Sequence, residues 1–233
     1  MSQAHLPPSV WGRRRFLQVL TGGMACTLPG WAVAANGLWM PSQDLPLTPT
    51  QTEGPFYPET AIEQQLFNDT DLSQKIAGHE FAKGQLTVVN GVVTDQRGKP
   101  LAGSVVEVWQ ACASGRYHHS RDESNPLLLD NNFQFWGRAI TGEDGKYSFK
   151  TIIPGKYPGR TGRHIHYRID SPQHKRLVTQ CYFSEFGEDN SQDGIYRQLD
   201  AKQREQVTVQ LDKPSDKSQP WSGAFNIVLG KAS

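Results

Sequence analysis

Apolar, strand-forming segments recur at short intervals from Leu86 to Leu229. Leu86–Val93 is rich in β-formers and Ser104–Gln110 alternates apolar and polar side chains with a period of two, with an Asp95-to-Pro100 turn between them. Gly137–Thr141, Lys146–Thr151, His164–Ile169, Leu177–Phe183, Gln206–Leu211 and Gly223–Leu229 follow, separated by Gly, Pro, Asn and Asp. Strands at this spacing predict an all-β chain, a β-sandwich of about eight strands. Residues 111–135 break the pattern. They are too long for a hairpin and too polar for core, and loops of that kind usually carry function, so the sandwich is expected to bear long active-site loops. A short surface helix is expected over 190–203.

Upstream, Pro41, Pro46, Pro49, Pro55 and Pro58 forbid a helix over 35–58 and leave an ordered arm or a loose leader. Residues 59–84 are polar, with Gly78 and Gly84 as breakers, and allow at most one short helix near Ile62–Phe67. The expected organisation is therefore an arm and polar loop region over 35–84 ahead of one sandwich domain over 85–233. Before the arm, Gly12-Arg-Arg-Arg-Phe-Leu17 opens an apolar stretch that reaches Trp31-Ala-Val-Ala34 without an acidic residue or a lysine. Paired arginines ahead of Phe-Leu and an A-x-A ending read as a twin-arginine export signal over 1–34, which places the mature protein in the periplasm. The stretch is too short and too weakly apolar to span a membrane comfortably.

Composition adds exclusions. The 233 residues hold 24 Lys+Arg against 23 Asp+Glu, and removal of the 34-residue signal with its three arginines leaves 199 residues near −2. No one-sign field remains for gripping nucleic acid or an anionic membrane surface. Of the cysteines, Cys112 and Cys181 would remain, either paired in an oxidising compartment or as two buried thiols.

The candidate chemistry lies at His164-Ile-His166, where a strand projects both imidazoles to one face about 7 Å apart along the backbone and turns Ile165 to the other. Two such histidines can chelate a metal ion or serve as ordinary hydrogen-bonded strand residues. Nearby stand Tyr157, in Pro154-Gly-Lys-Tyr-Pro-Gly-Arg160, and Tyr117, in Gly115-Arg-Tyr-His-His119. Phenolates are hard anionic ligands that suit a highly charged ion such as ferric iron. Both tyrosines can equally sit at strand ends with their hydroxyls in water.

These residues resemble a family, the intradiol ring-cleavage dioxygenases, and within it the iron-bearing subunit of the protocatechuate-type enzymes. The resemblance runs in order through Thr48-Pro-Thr-Gln-Thr-Glu-Gly-Pro-Phe-Tyr57, Gly91-Val-Val-Thr-Asp95, Pro100-Leu-Ala-Gly103, Val106-Glu-Val-Trp-Gln110, Gly115-Arg-Tyr117, Gly145-Lys-Tyr-Ser-Phe149, Pro154-Gly-Lys-Tyr-Pro158, His164-Ile-His166 and Gln180-Cys-Tyr-Phe183. It implies a non-haem Fe(III) cofactor held by Tyr117, Tyr157, His164 and His166. Tyr157 would be the ligand displaced by a catechol and would then help accept its proton, and Gln180 would be a polar residue beside the iron. It further implies ring cleavage between two hydroxylated carbons by O2, giving a muconate-type dicarboxylic acid. Small aromatic diols and O2 would be the partners, with a homo-oligomer or a partner subunit as further options.

The family's active-site arginine falls here on Thr161, flanked by Arg160 and Arg163. Arg160 is the expected catalytic residue, because the residue directly before His164 on a strand faces away from its ring. Gly54, Phe56 and Tyr57 are candidate substrate-binding residues on the same resemblance. Two other readings remain: a transthyretin-like binding module, which shares the turn and P-G-x-Y patterns, and a zinc-type metalloprotein that uses His164 and His166 with carboxylates.

Overall fold

The structure, a computed structural model, describes residues 44–58, 69–76 and 78–232. The export signal expected over 1–34, the start of the proline-rich arm and the helix expected near Ile62–Phe67 lie outside the described residues.

Among the described residues nine strands form two sheets: β1 Leu86–Asp95, β2 Val105–Trp109, β3 Trp136–Ile140, β4 Lys146–Ile152, β5 His164–Asp170, β6 Leu177–Phe183, β7 Thr208–Val209, β8 Trp221–Ala224 and β9 Ile227–Leu229. The all-β sandwich is the observed architecture. In the first sheet β1 pairs antiparallel with β4, from Leu86↔Ile152 to Val92↔Lys146, and parallel with β8 and β9 along its other edge. The second sheet runs β3-β2-β5-β6-β7.

Two expected strands come out differently. Gly223–Leu229 is split into β8 and β9, because at the junction the Phe225 N–H donates to Asn90 O while the Asn226 side chain replaces a ladder carbonyl in accepting from Val92 N–H. Gln206–Leu211 begins as helix. Asp200 and Gln203 form a reciprocal capping box that starts α2 at Ala201–Val207, so only Thr208 and Val209 are left to pair with β6. The helix expected over 190–203 is therefore two helices, α1 Gly187–Gln192 and α2, with a 3-10 turn at Tyr196–Gln198 between them.

The core lies between the sheets. From β5 it takes Ile165, Tyr167 and Ile169, from β2 Val106 and Val108, and from the first sheet Val89, Val93 and Phe149. Full burial of each such side chain stabilises the fold by about 1.5–3 kcal/mol. Period-two geometry then forces His164, His166 and Arg168 of β5 and Glu107 and Trp109 of β2 onto the outer face of the second sheet. A second apolar cluster forms there: Trp109, Ala111, Tyr117 and Trp136, with Phe56, Tyr57, Tyr157 and Val178 packed against it.

This face is roofed by the arm and by residues 111–135. The arm is ordered where it is described: Gln51 N–H donates to Val178 O at 2.8 Å, Thr48 N–H to Val228 O at 3.1 Å, and Thr179 Oγ1 to Pro49 O at 2.8 Å. Residues 111–135 hold only a 3-10 turn at Ser120–Asp122. They are less polar in effect than their composition suggests, since Cys112, Tyr117, Phe133 and Gln134 are buried. Cys112 and Cys181 are both buried free thiols.

Candidate active site

Cross-strand register sets the floor of the site. His166 pairs with Trp109 on β2 and with Gln180 on β6, and His164 pairs with Tyr182. The Trp109 indole and the His166 ring stack at 4.9 Å and 6°, and the two imidazoles stand 4.8 Å apart, edge to face. His164 Nδ1 lies 2.7 Å from Gly162 O. A carbonyl only accepts, so Nδ1 carries the proton and the Nε2 lone pair points into the site.

Two loops bring the tyrosines over this floor. Gly155 N–H donates to Cys112 O at 3.0 Å, tying the Tyr157 loop to the Tyr117 loop. Asp122 turns the latter inward by accepting the Tyr117 N–H at 2.7 Å, and Asn125 braces Asp122. The Tyr117 and Tyr157 rings meet edge to face at 5.3 Å, and the Tyr157 hydroxyl stands 3.2 Å from His164 Nε2. The expected quartet of Tyr117, Tyr157, His164 and His166 is thus one contiguous ring cluster.

The candidate substrate residues diverge. Gly54, at φ +72°, lies so close to His166 that a Cβ would stand 3.3 Å from its Cε1. Phe56 stacks on Tyr117 at 4.4 Å and meets Tyr157 edge-on at 5.7 Å. Phe56 also lines, with Tyr117, Phe133, Phe135 and Trp136, an aromatic cleft beside Tyr117. Tyr57 faces elsewhere: its hydroxyl donates to Glu107 at 2.9 Å and its ring packs edge-on against Trp109 at 5.0 Å, which makes it a support behind the indole. Burial, reinforced by the Glu107 carboxylate, pushes the Tyr57 phenol up to about 12.

The two arginines beside Thr161, both ahead of β5, lie in different places. Arg160 reaches the site, with Nη2 2.8 Å from Gln180 Oε1 and 3.1 Å from the Tyr182 hydroxyl. Arg163 donates to Pro154 O at 3.2 Å and lies over the Phe186 ring. Gln180 is buried and fully engaged, its Nε2 donating to Thr52 O at 2.9 Å. Four supports were not singled out by sequence patterning: Asp122, Gln51, Tyr182 and Asp193. Each is an ordinary polar residue whose bracing partner no local spacing marks.

The electrostatics suit a cation. Burial, helped by the Arg160 charge, lowers His164 to about 3, and burial with the neighbouring His164 lowers His166 as well, so both imidazoles are neutral. Burial raises Tyr117 and Tyr157, with Arg160 pulling the other way on each. The Tyr117 hydroxyl and both ring nitrogens of His166 are buried with no hydrogen-bond partner among the described residues. Buried polar atoms are rarely left so, and these are all metal donors. Among the described residues no group of three or more His, Cys, Asp or Glu is placed to hold a metal. The Tyr117 and Tyr157 phenols beside the two imidazoles form a donor set whose chemistry suits ferric iron.

A family model described as dioxygenase matches residues 52–231. The protocatechuate 3,4-dioxygenase beta chain of Burkholderia cepacia is 41% identical over 122 residues, which are 49% of this chain and 52% of the relative. Catechol 1,2-dioxygenase of Candida albicans is 29% identical over 226 residues, 89% of this chain and 69% of the relative. The chain thus spans about half the length of the first and somewhat over two thirds of the second. Among solved structures, the dioxygenase domain of a dioxygenase carbohydrate-binding fusion from Streptomyces sp. SirexAA-E is similar with a TM-score of 0.60 and 29% identity, covering 80% of this chain and 100% of that one. The intradiol ring-cleavage dioxygenase from Tetranychus urticae also gives 0.60, at 25% identity and 79% and 95% coverage.

Proposed function

The chain belongs to the intradiol dioxygenase family, and from that premise we propose that it is a non-haem, Fe(III)-dependent enzyme that uses O2 to cleave a catechol-type ring between its two hydroxylated carbons. The product is a muconate-type dicarboxylic acid. The observation that carries the reading is the cluster of a buried phenol (Tyr117), a half-buried one (Tyr157) and two neutral imidazoles, with the Tyr117 hydroxyl and the His166 nitrogens unpartnered among the described residues.

Tyr117, Tyr157, His164 and His166 would hold the iron. When bound, Fe(III) supplies a Lewis acid that takes up the deprotonated diol and draws electron density from its ring. The protein's own groups do the rest. Gly162 O keeps the His164 proton on Nδ1, so Nε2 is free to ligate. Tyr157, whose hydroxyl oxygen stands 3.2 Å from that Nε2, would as a phenolate released from the site be placed to accept the proton given up by the substrate hydroxyl. Arg160 places a fixed positive charge beside the site, stabilising negative charge as it develops on the ring. Phe56 from the arm and Trp136 from β3 line the cleft beside Tyr117 with apolar surface, and a site poor in water would strengthen that charge.

A protocatechuate-like substrate is the specific form of the proposal, taken from the name of the 41%-identical relative. Export to the periplasm through the twin-arginine signal over 1–34, and a homo-oligomeric or partner-subunit assembly, belong to it as well.

The test is to load the purified protein with iron, record its visible spectrum before and after a catechol, and identify the product. Tyrosinate-to-Fe(III) charge-transfer colour that shifts on substrate addition, with a muconate-type product, is expected. An iron-loaded protein without colour sinks the reading. Faster turnover of catechol than of protocatechuate would refute only the substrate.

A further inference from the structure

The charge on Arg160 is useful only if the guanidinium stays in place, and the residue that holds it comes from outside the motif region. Asp193, just after α1, takes Arg160 Nε on Oδ2 at 2.8 Å and Nη2 on Oδ1 at 3.1 Å, a two-pronged contact that fixes the plane of the guanidinium. The Asp193 side chain has no exposed surface and that of Arg160 is 12% exposed. Asp193 is itself anchored, since Oδ1 accepts the Ile195 and Tyr196 N–H groups at 3.0 and 3.1 Å.

The same carboxylate reaches the histidine. Oδ2 accepts the Gly162 N–H at 3.1 Å, and the Gly162 carbonyl fixes the His164 tautomer. A Cβ on Gly162 would stand 3.0 Å from the Asp193 Cβ and 3.1 Å from Tyr182 Cε1, so the absence of a side chain lets Asp193 close onto the backbone. Gln180 and Tyr182 complete the cradle from β6.

We infer that Asp193 is a positioning residue: it aims the Arg160 guanidinium at the reacting ring and, through Gly162, steadies the backbone that orients His164. This rests on the proposed ring-cleaving function of the same site. Asp193 touches no substrate and acts through Arg160. A purely structural carboxylate would brace α1 and leave the reaction unaffected once the protein had folded.

The experiment uses the iron-loaded protein and its variants D193N, R160A and R160A/D193N, with added millimolar guanidinium as the probe. Wild-type ring cleavage is the control for the functional reading. In D193N that has kept iron and fold, kcat should fall about 10- to 100-fold while KM moves less than about threefold, as expected of a displaced charge-stabilising group. In R160A the free cation should restore part of the lost turnover, because Asp193 and Gln180 still form the cradle. In R160A/D193N it should restore none. Equal rescue in both backgrounds, or wild-type kcat in D193N, overturns the inference.

The same comparison is read without iron or turnover. Guanidinium should raise the melting temperature of R160A and leave that of R160A/D193N unchanged. If R160A folds only when the cation is present, that dependence supports the inference, provided the double variant does not share it. If wild-type protein cleaves no catechol, the functional reading fails while the melting comparison still decides whether Asp193 holds Arg160.

Discussion

Trp109 lies flat against His166, 4.9 Å between ring centroids and 6° from parallel, because the two are direct partners across the β2–β5 ladder. With no hydrogen bond on either nitrogen among the described residues, the imidazole is held in its plane by packing, chiefly against the indole face. Trp109→Ala should therefore destabilise the protein by about 3–5 kcal/mol in denaturant unfolding. It should also weaken iron retention, measured by metal analysis after dialysis against a chelator. Full retention would show that the ring is held by something else.

Tyr117→Phe separates ligation from packing. The hydroxyl has no hydrogen-bond partner among the described residues to lose, so the melting temperature of the metal-free variant should match the wild type within an equivalent of about 1 kcal/mol. The charge-transfer colour and O2 uptake should fall sharply. Unchanged uptake with a competent catechol would remove Tyr117 from the ligand set.

Gly54→Ala tests the approach of the arm to the histidine face. Its φ of +72° and the 3.3 Å contact a Cβ would make with His166 act together. The variant should lose about 1–3 kcal/mol of stability and bind iron more weakly. Wild-type iron affinity by competition with a chelator would show that the arm can yield.

Asp193 should make stability depend on pH in acid. Burial alone would raise its carboxyl, yet the Arg160 hydrogen bond and charge, with the Tyr196 and Gly162 N–H groups, hold it below the ordinary 3.8. A folded-state value below the unfolded one contributes stability that is complete above about 3.8 and is lost as the pH falls through the folded value. Asp193→Asn should accordingly cost about 3–5 kcal/mol at pH 7, the usual loss on breaking a buried pair. The difference in melting temperature between variant and wild type should narrow as the pH is lowered toward 3. A gap that does not change with pH would contradict the assignment.

Much of the fold was legible because burial and strand geometry act residue by residue. Alternation along His164–Ile169 already placed Ile165 in the core and both histidines on the opposite face. Where local patterning misled, a short-range competitor explains it: the Asp200–Gln203 capping box turned the start of Gln206–Leu211 into helix, and the Asn226 side chain interrupted Gly223–Leu229.

The sequence by itself determined the residue types of the site, the sheet face that carries the histidines, and the family resemblance that gathers Tyr117 and Tyr157 with them. Only the tertiary structure decided which groups hold those residues in place. Asp193 lies 33 positions from Arg160, and Gln51 lies 131 from Tyr182. Tyr57 directly follows Phe56 in the chain, and nothing in their order tells the two aromatics apart. Yet Phe56 stacks on Tyr117, while Tyr57 packs against Trp109 and donates to Glu107. Such supports arise when sheet register and loop packing bring remote polar groups within hydrogen-bond reach, and no periodicity along the chain encodes that distance.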